Sequence, residues 1–329
     1  MRMKLINLSC LFILIIIFFN SCNCGRNIEE THSRRGSIIP VTVYAGGSEV
    51  INFRRVATYW KNGEPVYLSS GSKYNANILS MVVSGDDVHA AGYGDGVAKY
   101  WKTSGGKVVR EVVLSRNSTA WSIAVFGNDV YVLGKRKNGI GKPFAVCWKN
   151  EKVVSQIEFH EVYAMFVNNN DIYFAGCKDG NATYWKNGEP VPLSGGTCAN
   201  LIQVVGDDIY AAGYEEYDEG ESSQAIYWKN GLIEPLSLGN YVSSIFVDGK
   251  DVYVAGSVNR GAAYWKNGKV VILGEKYSST RSIFVFDKDV YVGGSQFGIA
   301  KAVYWKNGEL VSLSENSSDV NSIVVVPQN

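Results

Sequence analysis

Ser282-Ile283-Phe284-Val285, Val290-Tyr291-Val292-Gly293, Ala302-Val303-Tyr304-Trp305 and Leu310-Val311-Ser312-Leu313 follow one another between Ser282 and Ser314. β-Branched and aromatic residues fill these four runs, and turn residues separate them. Asp287-Lys288-Asp289 follows the first run and Lys306-Asn307-Gly308 the third. Asn-Gly tolerates successive positive φ angles, which a two-residue hairpin turn requires. The stretch therefore reads as four short antiparallel strands, A to D.

The third run is not unique. Tyr-Trp-Lys-Asn-Gly stands at Tyr59–Gly63, Tyr184–Gly188, Tyr227–Gly231, Tyr264–Gly268 and Tyr304–Gly308, with degenerate copies at Tyr100-Trp101-Lys102 and Cys147-Trp148-Lys149-Asn150. Seven tryptophans fall in register: Trp60, Trp101, Trp148, Trp185, Trp228, Trp265 and Trp305. Four strands in about 40 residues, repeated seven times, predict an all-β, seven-bladed β-propeller.

The ends agree. The last repeat stops after its strand A, at Asn321–Val326, and the first lacks one. Val41-Thr42-Val43-Tyr44-Ala45-Gly46 matches the strand B pattern Val252-Tyr253-Val254-Ala255-Gly256. One blade is then shared, with strand A from the C-terminal segment and strands B, C and D from the N-terminal one. Such sharing removes exposed sheet edges. Over Val41 to Val326 the Tyr-Val-Ala-Gly strand end and the later Tyr and Trp resemble kelch and other Trp-containing propeller repeats. Tyr and Trp are adjacent here, and most copies lack the Gly-Gly doublet of kelch. The resemblance implies a fold and not a function.

The first 21 residues predict an export signal. Arg2 and Lys4 precede the uncharged apolar run Leu11–Phe19, which is short for a membrane span. Phe19-Asn20-Ser21-Cys22 resembles a permissive lipobox, which implies lipidation at Cys22 and attachment to a bacterial membrane, outer membrane or cell surface. Residues 22–40, rich in Gly, Asn, Ser, Glu and Arg, read as a disordered tether, and 41–329 as the propeller. Losing Arg2 and Lys4 leaves 30 Lys and Arg against 31 Asp and Glu. That balance argues against a nucleic-acid partner. A monomer is expected.

Catalytic motifs are scarce. His32, His89 and His160 share no pattern, and no nucleophile elbow, P-loop or zinc spacing occurs. His89 replaces the strand B tyrosine, so it reads as a packed residue. The tryptophans read as fillers of the seams between blades. The aspartates before strand B (Asp87, Asp129, Asp171, Asp208, Asp251 and Asp289) read as turn residues, not metal ligands. No metal, cofactor or catalytic residue is assigned. A carboxylate pair of glycosidase type stays open.

Strand direction alternates, so the A–B and C–D turns share one face and the B–C and D–A loops the other. The second face is expected to carry the irregular loops: Gly47–Arg55, Lys135–Pro143 and Tyr214–Gln224, the last with Tyr214 and Tyr217 among acids. Loops on a rigid scaffold are where binding lies. The residue before the strand A serine position varies while its neighbours repeat: Leu79, Trp121, Tyr163, Leu201, Ser243, Arg281 and Asn321. Trp121, Tyr163 and Arg281 would ring the mouth of the central channel. With Tyr214 and Tyr217 they form the candidate ligand site. Cys177, starting a B–C loop, and Cys198, in the D–A loop of the same blade, are expected to form a disulfide after export. These features predict a non-catalytic envelope or surface scaffold for a protein or carbohydrate ligand. The alternatives are an accessory subunit of an envelope assembly complex and a glycan-active propeller enzyme.

Overall fold

The structure, a computed structural model, describes residues 39–69, 75–136, 144–157, 161–217, 222–296 and 301–328. The signal segment, Cys22 and the tether up to residue 38 lie outside the described residues. The remainder forms seven sheets of four antiparallel strands each. The inner strands are Ser318–Pro327 in blade one, then Ala76–Ser84, Ser118–Phe126, Glu161–Asn168, Cys198–Val205, Tyr241–Asp248 and Ser279–Phe286 in blades two to seven. Each touches the inner strand of the next blade, and the seventh touches the first. Blade one is the shared one: Ser318–Pro327 pairs antiparallel with Val41–Ile51, placing Val43 opposite Val325. Arg54–Lys61 and Glu64–Tyr67 complete it.

The repeat motif is a clasp on the A–B and C–D turn face. In Tyr264–Gly268, Trp265 is fully buried. Lys266 Nζ lies 2.9 Å from Asp251 Oδ2 and 5.1 Å above the Tyr253 ring. Asn267 Oδ1 accepts from Val252 N at 2.8 Å, while its Nδ2 donates to Asp251 Oδ1 at 2.8 Å. Asn267 and Gly268 have φ of +49° and +76°, the left-handed turn that closes the C–D hairpin. The same bonds recur around Asp129, Asp171, Asp208 and Asp289. Five of the six aspartates are thereby tied to the C–D turn of their own blade, and Asp87 pairs with Lys102. Among the described residues no group of three or more His, Cys, Asp or Glu side chains gathers as a metal site would. Each exposed Lys–Asp pair contributes little on its own, at most about 1 kcal/mol. The clasp fixes hairpin register.

Seven apolar clusters occupy the seven seams. The motif tryptophans sit in them, none more than 2% exposed. Trp228 and Trp265 donate their indole N–H to the carbonyls of Ser194 and Ser237, in the loop leaving the preceding blade. Burying a tryptophan removes roughly 200 Å² from water, about 5 kcal/mol as an upper estimate. At the axis, the open edge of one inner strand is served by the blade before it. Ser322 Oγ accepts from Met81 N, Ser80 Oγ from Ile123 N and Ser282 Oγ from Ile323 N.

Two expectations about loops are corrected. Gly47–Arg55 is not irregular: Val41–Ile51 and Arg54–Lys61 run on as a ladder, closed by Asn52-Phe53 with φ of +49° and +63°. Lys135 and Arg136, and likewise Tyr214 to Tyr217, belong to strands Asp129–Arg136 and Asp208–Tyr217. These residues pair across the ladder, as Tyr214 does with Ala225, while residues 137–143 and 218–221 of the two stretches lie outside the described residues. The strand B match of blade one also shifts by one residue. Tyr44 corresponds to Tyr253, so Gly47 and not Gly46 corresponds to Gly256.

Candidate functional site at the bulged mouth of the ring

Every inner strand carries a β-bulge two to three residues from its start, on the B–C and D–A face. The skipped residues are Asn321, Leu79, Trp121, Tyr163, Asn200, Ser243 and Arg281, in blades one to seven. Six coincide with the variable positions of the sequence. In blade five the bulge residue is Asn200, not Leu201, because Leu201 resumes pairing opposite Ala212.

The bulge has a sequence cause in the partner strand. The last glycine of each strand B motif faces it: Gly47, Gly92, Gly134, Gly176, Gly213, Gly256 and Gly294. A Cβ on Gly176 would lie 1.9 Å from the Glu161 carbonyl oxygen, and one on Gly213 1.9 Å from that of Cys198. Only glycine lets the two backbones approach this closely. The extra residue separates two tasks. The residue before it stays in the seam: Ile78, Ala120, Val162, Ala199, Val242, Thr280 and Val320 are all buried. The bulge residue itself is half-buried or, for Tyr163 and Arg281, exposed.

Around the ring these residues segregate. Leu79, Trp121 and Tyr163 occupy consecutive blades two to four, and Asn200, Ser243, Arg281 and Asn321 the rest. Trp121 packs against the seam between blades three and four. Its indole N–H is buried without a partner among the described residues. The Tyr163 hydroxyl donates to Glu161. Desolvation, with that carboxylate beside it, pushes the phenol well above its ordinary value. Tyr214 lies close enough that Glu216 and Glu161 add to the burial raising its own pKa. Tyr217 sits further out, donating to Glu215 at 2.7 Å. Ser243 shares a hydrogen bond with Thr280 at 2.9 Å, and Asn321 donates to Asn77 Oδ1 and Ile78 O. The structure thus groups Tyr163 with Tyr214 at the seam between blades four and five. Trp121 follows one blade before, and Arg281 stands across the ring.

Cys177 and Cys198 form a disulfide, with Cα atoms 4.7 Å apart. Its placement corrects the sequence reading: Cys198 begins the inner strand of blade five, so the bond crosses a seam. Glu161 pairs with Cys177 and Tyr214 with Cys198 in the adjoining ladders. The disulfide therefore joins the two strands that pair with those carrying the tyrosines.

Blade two departs from the repeat on the opposite face. His89 is buried where other blades have tyrosine, and its Nδ1 lies 2.8 Å from the Tyr100 hydroxyl. Burial, aided by Lys102, lowers its pKa to about 4 despite Asp87. A cavity of about 240 Å³ opens there, lined by His89, Tyr100, Lys102, Arg110, Asn150 and Glu151 among others. Its cations are already paired, Lys102 with Asp87 and Arg110 with Glu151. Sequence reasoning missed this cavity. Its signal was the loss of Tyr and Asn from one copy of the motif.

No protein-family model matches the chain, and no curated protein matches it significantly in sequence. Solved structures do share its shape. The acylaminoacyl peptidase of Pyrococcus horikoshii matches 87% of this chain at 14% identity, with a TM-score of 0.51. The chain spans about half (52%) of that enzyme's length. The β-propeller domain of the Trilobed protease from Pyrococcus furiosus, described as having an open velcro topology, matches 84% of this chain and 95% of its own at 10% identity and a TM-score of 0.52. AztD from Citrobacter koseri matches 88% of this chain and 98% of its own at 14% identity and a TM-score of 0.50. At these identities the likeness concerns the fold: the chain is a seven-bladed β-propeller whose N- and C-terminal strands share a blade.

Proposed function

We propose that this chain is a non-catalytic binding scaffold of a bacterial envelope, presenting the bulged mouth of its ring to a protein or glycan. The carrying observation is that the bulge position at the mouth of the ring, unlike the buried seam residue before it, differs around the ring in size, polarity and charge. A position under packing constraint alone would repeat, as its seam neighbour does with small or aliphatic residues. The anchor would be a lipid on Cys22. The chain enters blade one on the clasp face, where Val43 N bonds Asn62 Oδ1 and Gln328 N bonds Pro40 O. A tether there leaves the mouth facing away from the membrane.

The test is crosslinked capture from envelope and host extracts with the mature protein. A partner should be captured by wild type and by Lys229→Gln on the clasp face, and lost in Trp121→Ala/Tyr163→Ala/Arg281→Ala. Capture unaffected by the triple variant, with its fold intact by circular dichroism, overturns the reading. Surface labelling of intact cells then separates a surface receptor from an envelope assembly subunit.

A further inference from the structure

The mouth has two unlike halves, and their order around the ring constrains what fits. Leu79, Trp121 and Tyr163 occupy the bulge positions of three consecutive blades. Arg281 is the only charged residue among the seven bulge positions. It is exposed and has no ion-pair or hydrogen-bond partner among the described residues. Of the other cations near this face, Arg55 is engaged with Asp319 at 2.8 Å, Lys99 with Asp95 and Glu111, and Lys301 with Glu315. Arg54, Arg116, Lys135, Arg136, Lys178 and Arg260 have no ion pair among the described residues but stand outside the bulge positions.

Arg281 stands on a fixed base. Thr280 before it is buried, and its Oγ1 donates to Gly256 O of blade six at 2.9 Å. Its ring neighbours are also committed. Ser243 is bonded to Thr280, and Asn321 to Asn77 and the Ile78 carbonyl. A free guanidinium on this fixed base offers a planar fork to a carboxylate. The apolar residues, two to three blades away around the ring, offer a wall to a side chain.

Resting on the binding role proposed above, we infer that the mouth takes the C-terminal carboxylate of a peptide whose last side chain is apolar. Arg281 binds the carboxylate, and Leu79, Trp121 and Tyr163 receive the side chain. The observations favour a peptide over an acidic glycan. Pyranose rings stack on open aromatic faces, whereas Trp121 is packed into a seam with its N–H buried. Leu79 completes an aliphatic wall, and the Tyr163 hydroxyl is already spent on Glu161.

The test uses the mature protein and four small probes: N-acetylphenylalanine, its C-terminal amide, N-acetylglycine and glucuronic acid. Binding is read by NMR titration of the indole N–H resonances, with the Trp121 peak assigned from Trp121→Phe. N-Acetylphenylalanine should shift the Trp121 resonance saturably. The amide, N-acetylglycine and glucuronic acid should bind at least ten-fold more weakly. Arg281→Gln should erase the difference between acid and amide while leaving the seven buried indole resonances in place. Equal binding of acid and amide, or no shift of Trp121 by any probe, overturns the carboxylate assignment. Tighter binding of glucuronic acid replaces it with a glycan site. Partner capture that still depends on the three mouth residues would show that only the ligand class, and not the binding role, had failed.

Discussion

Single residues decide more than their size suggests here, beginning with the strand B glycines. A methyl group on Gly176 meets the Glu161 carbonyl oxygen at 1.9 Å, whereas one on Gly63, at φ +89°, meets nothing within 4 Å. Gly176→Ala should cost about 3 kcal/mol, at the upper end for overpacking. Gly63→Ala should cost only about 1 kcal/mol, for its positive φ. Urea denaturation of the two variants measures both, and equal costs would contradict the bulge geometry. His89 carries the second residue-scale consequence. Its folded pKa, about 4, lies below the unfolded value of 6.5. A depressed base binds fewer protons when folded, so its contribution is complete above pH 6.5 and lost as pH falls towards 4. The loss is of order 3 kcal/mol. His89→Tyr, which restores the residue of the other blades, should flatten the melting temperature between pH 6.5 and 4.5. The clasp aspartates act lower. Asp251 and Asp208 are held below the ordinary carboxylate value first by Asn267 and Asn230, then by Lys266 and Lys229. Their contribution persists down to about pH 4 and is lost below it. That His89 packs could be read from its place in the motif. Its sensitivity to acid could not, because that depends on how completely the Tyr100 side of the seam closes over it.

At the scale of elements, the hairpins were readable where turn chemistry is local. Asn267-Gly268 and its copies specify the C–D turns by dihedral angle alone. The B–C crest of blade one was misread as a loop because Asn52-Phe53 carries no turn glycine, and only the cross-strand ladder shows that pairing continues to Ile51. The bulge was half readable. Sequence exposed the variable position but placed it at Leu201 in blade five, since no serine follows to mark it. A bulge is a relation between two strands, and its sequence signature, the glycine, lies in the partner. The disulfide shows the same limit. Its cysteines suggested a bond, while its crossing from blade four to blade five depended on where strand A begins. A loop of 21 residues closed by that bond is worth about 3 kcal/mol in the chain-entropy estimate. Cys177→Ala/Cys198→Ala should therefore lower the melting temperature by several degrees and make it insensitive to reductant. An unchanged transition would mean that the seam holds without its covalent link.

The whole ring depends on its shared blade. Ser318–Pro327 supplies the inner strand of blade one, and Asp319 accepts from Ser48 and pairs with Arg55 across the closure. Removing residues 321–329 should abolish cooperative unfolding, leaving a broad transition by circular dichroism. A sharp, unshifted melt would show that six and three-quarter blades suffice. The closure also sets the folding problem. Val43 and Val325 are neighbours in space but nearly 300 residues apart along the chain. Loop-closure entropy must be met before that contact gives anything back, so folding should be slow for the protein's size. Yet Gln328 N lies 2.8 Å from Pro40 O. Nature's break in the circle is thus one of seven equivalent places to cut it. Joining residue 328 to residue 40 by a short linker, and opening new termini at Asn169-Asn170, would turn the most distant pairing into a local hairpin. Such a circular permutant would have the same seams and the same mouth, with a different blade left to close the ring last.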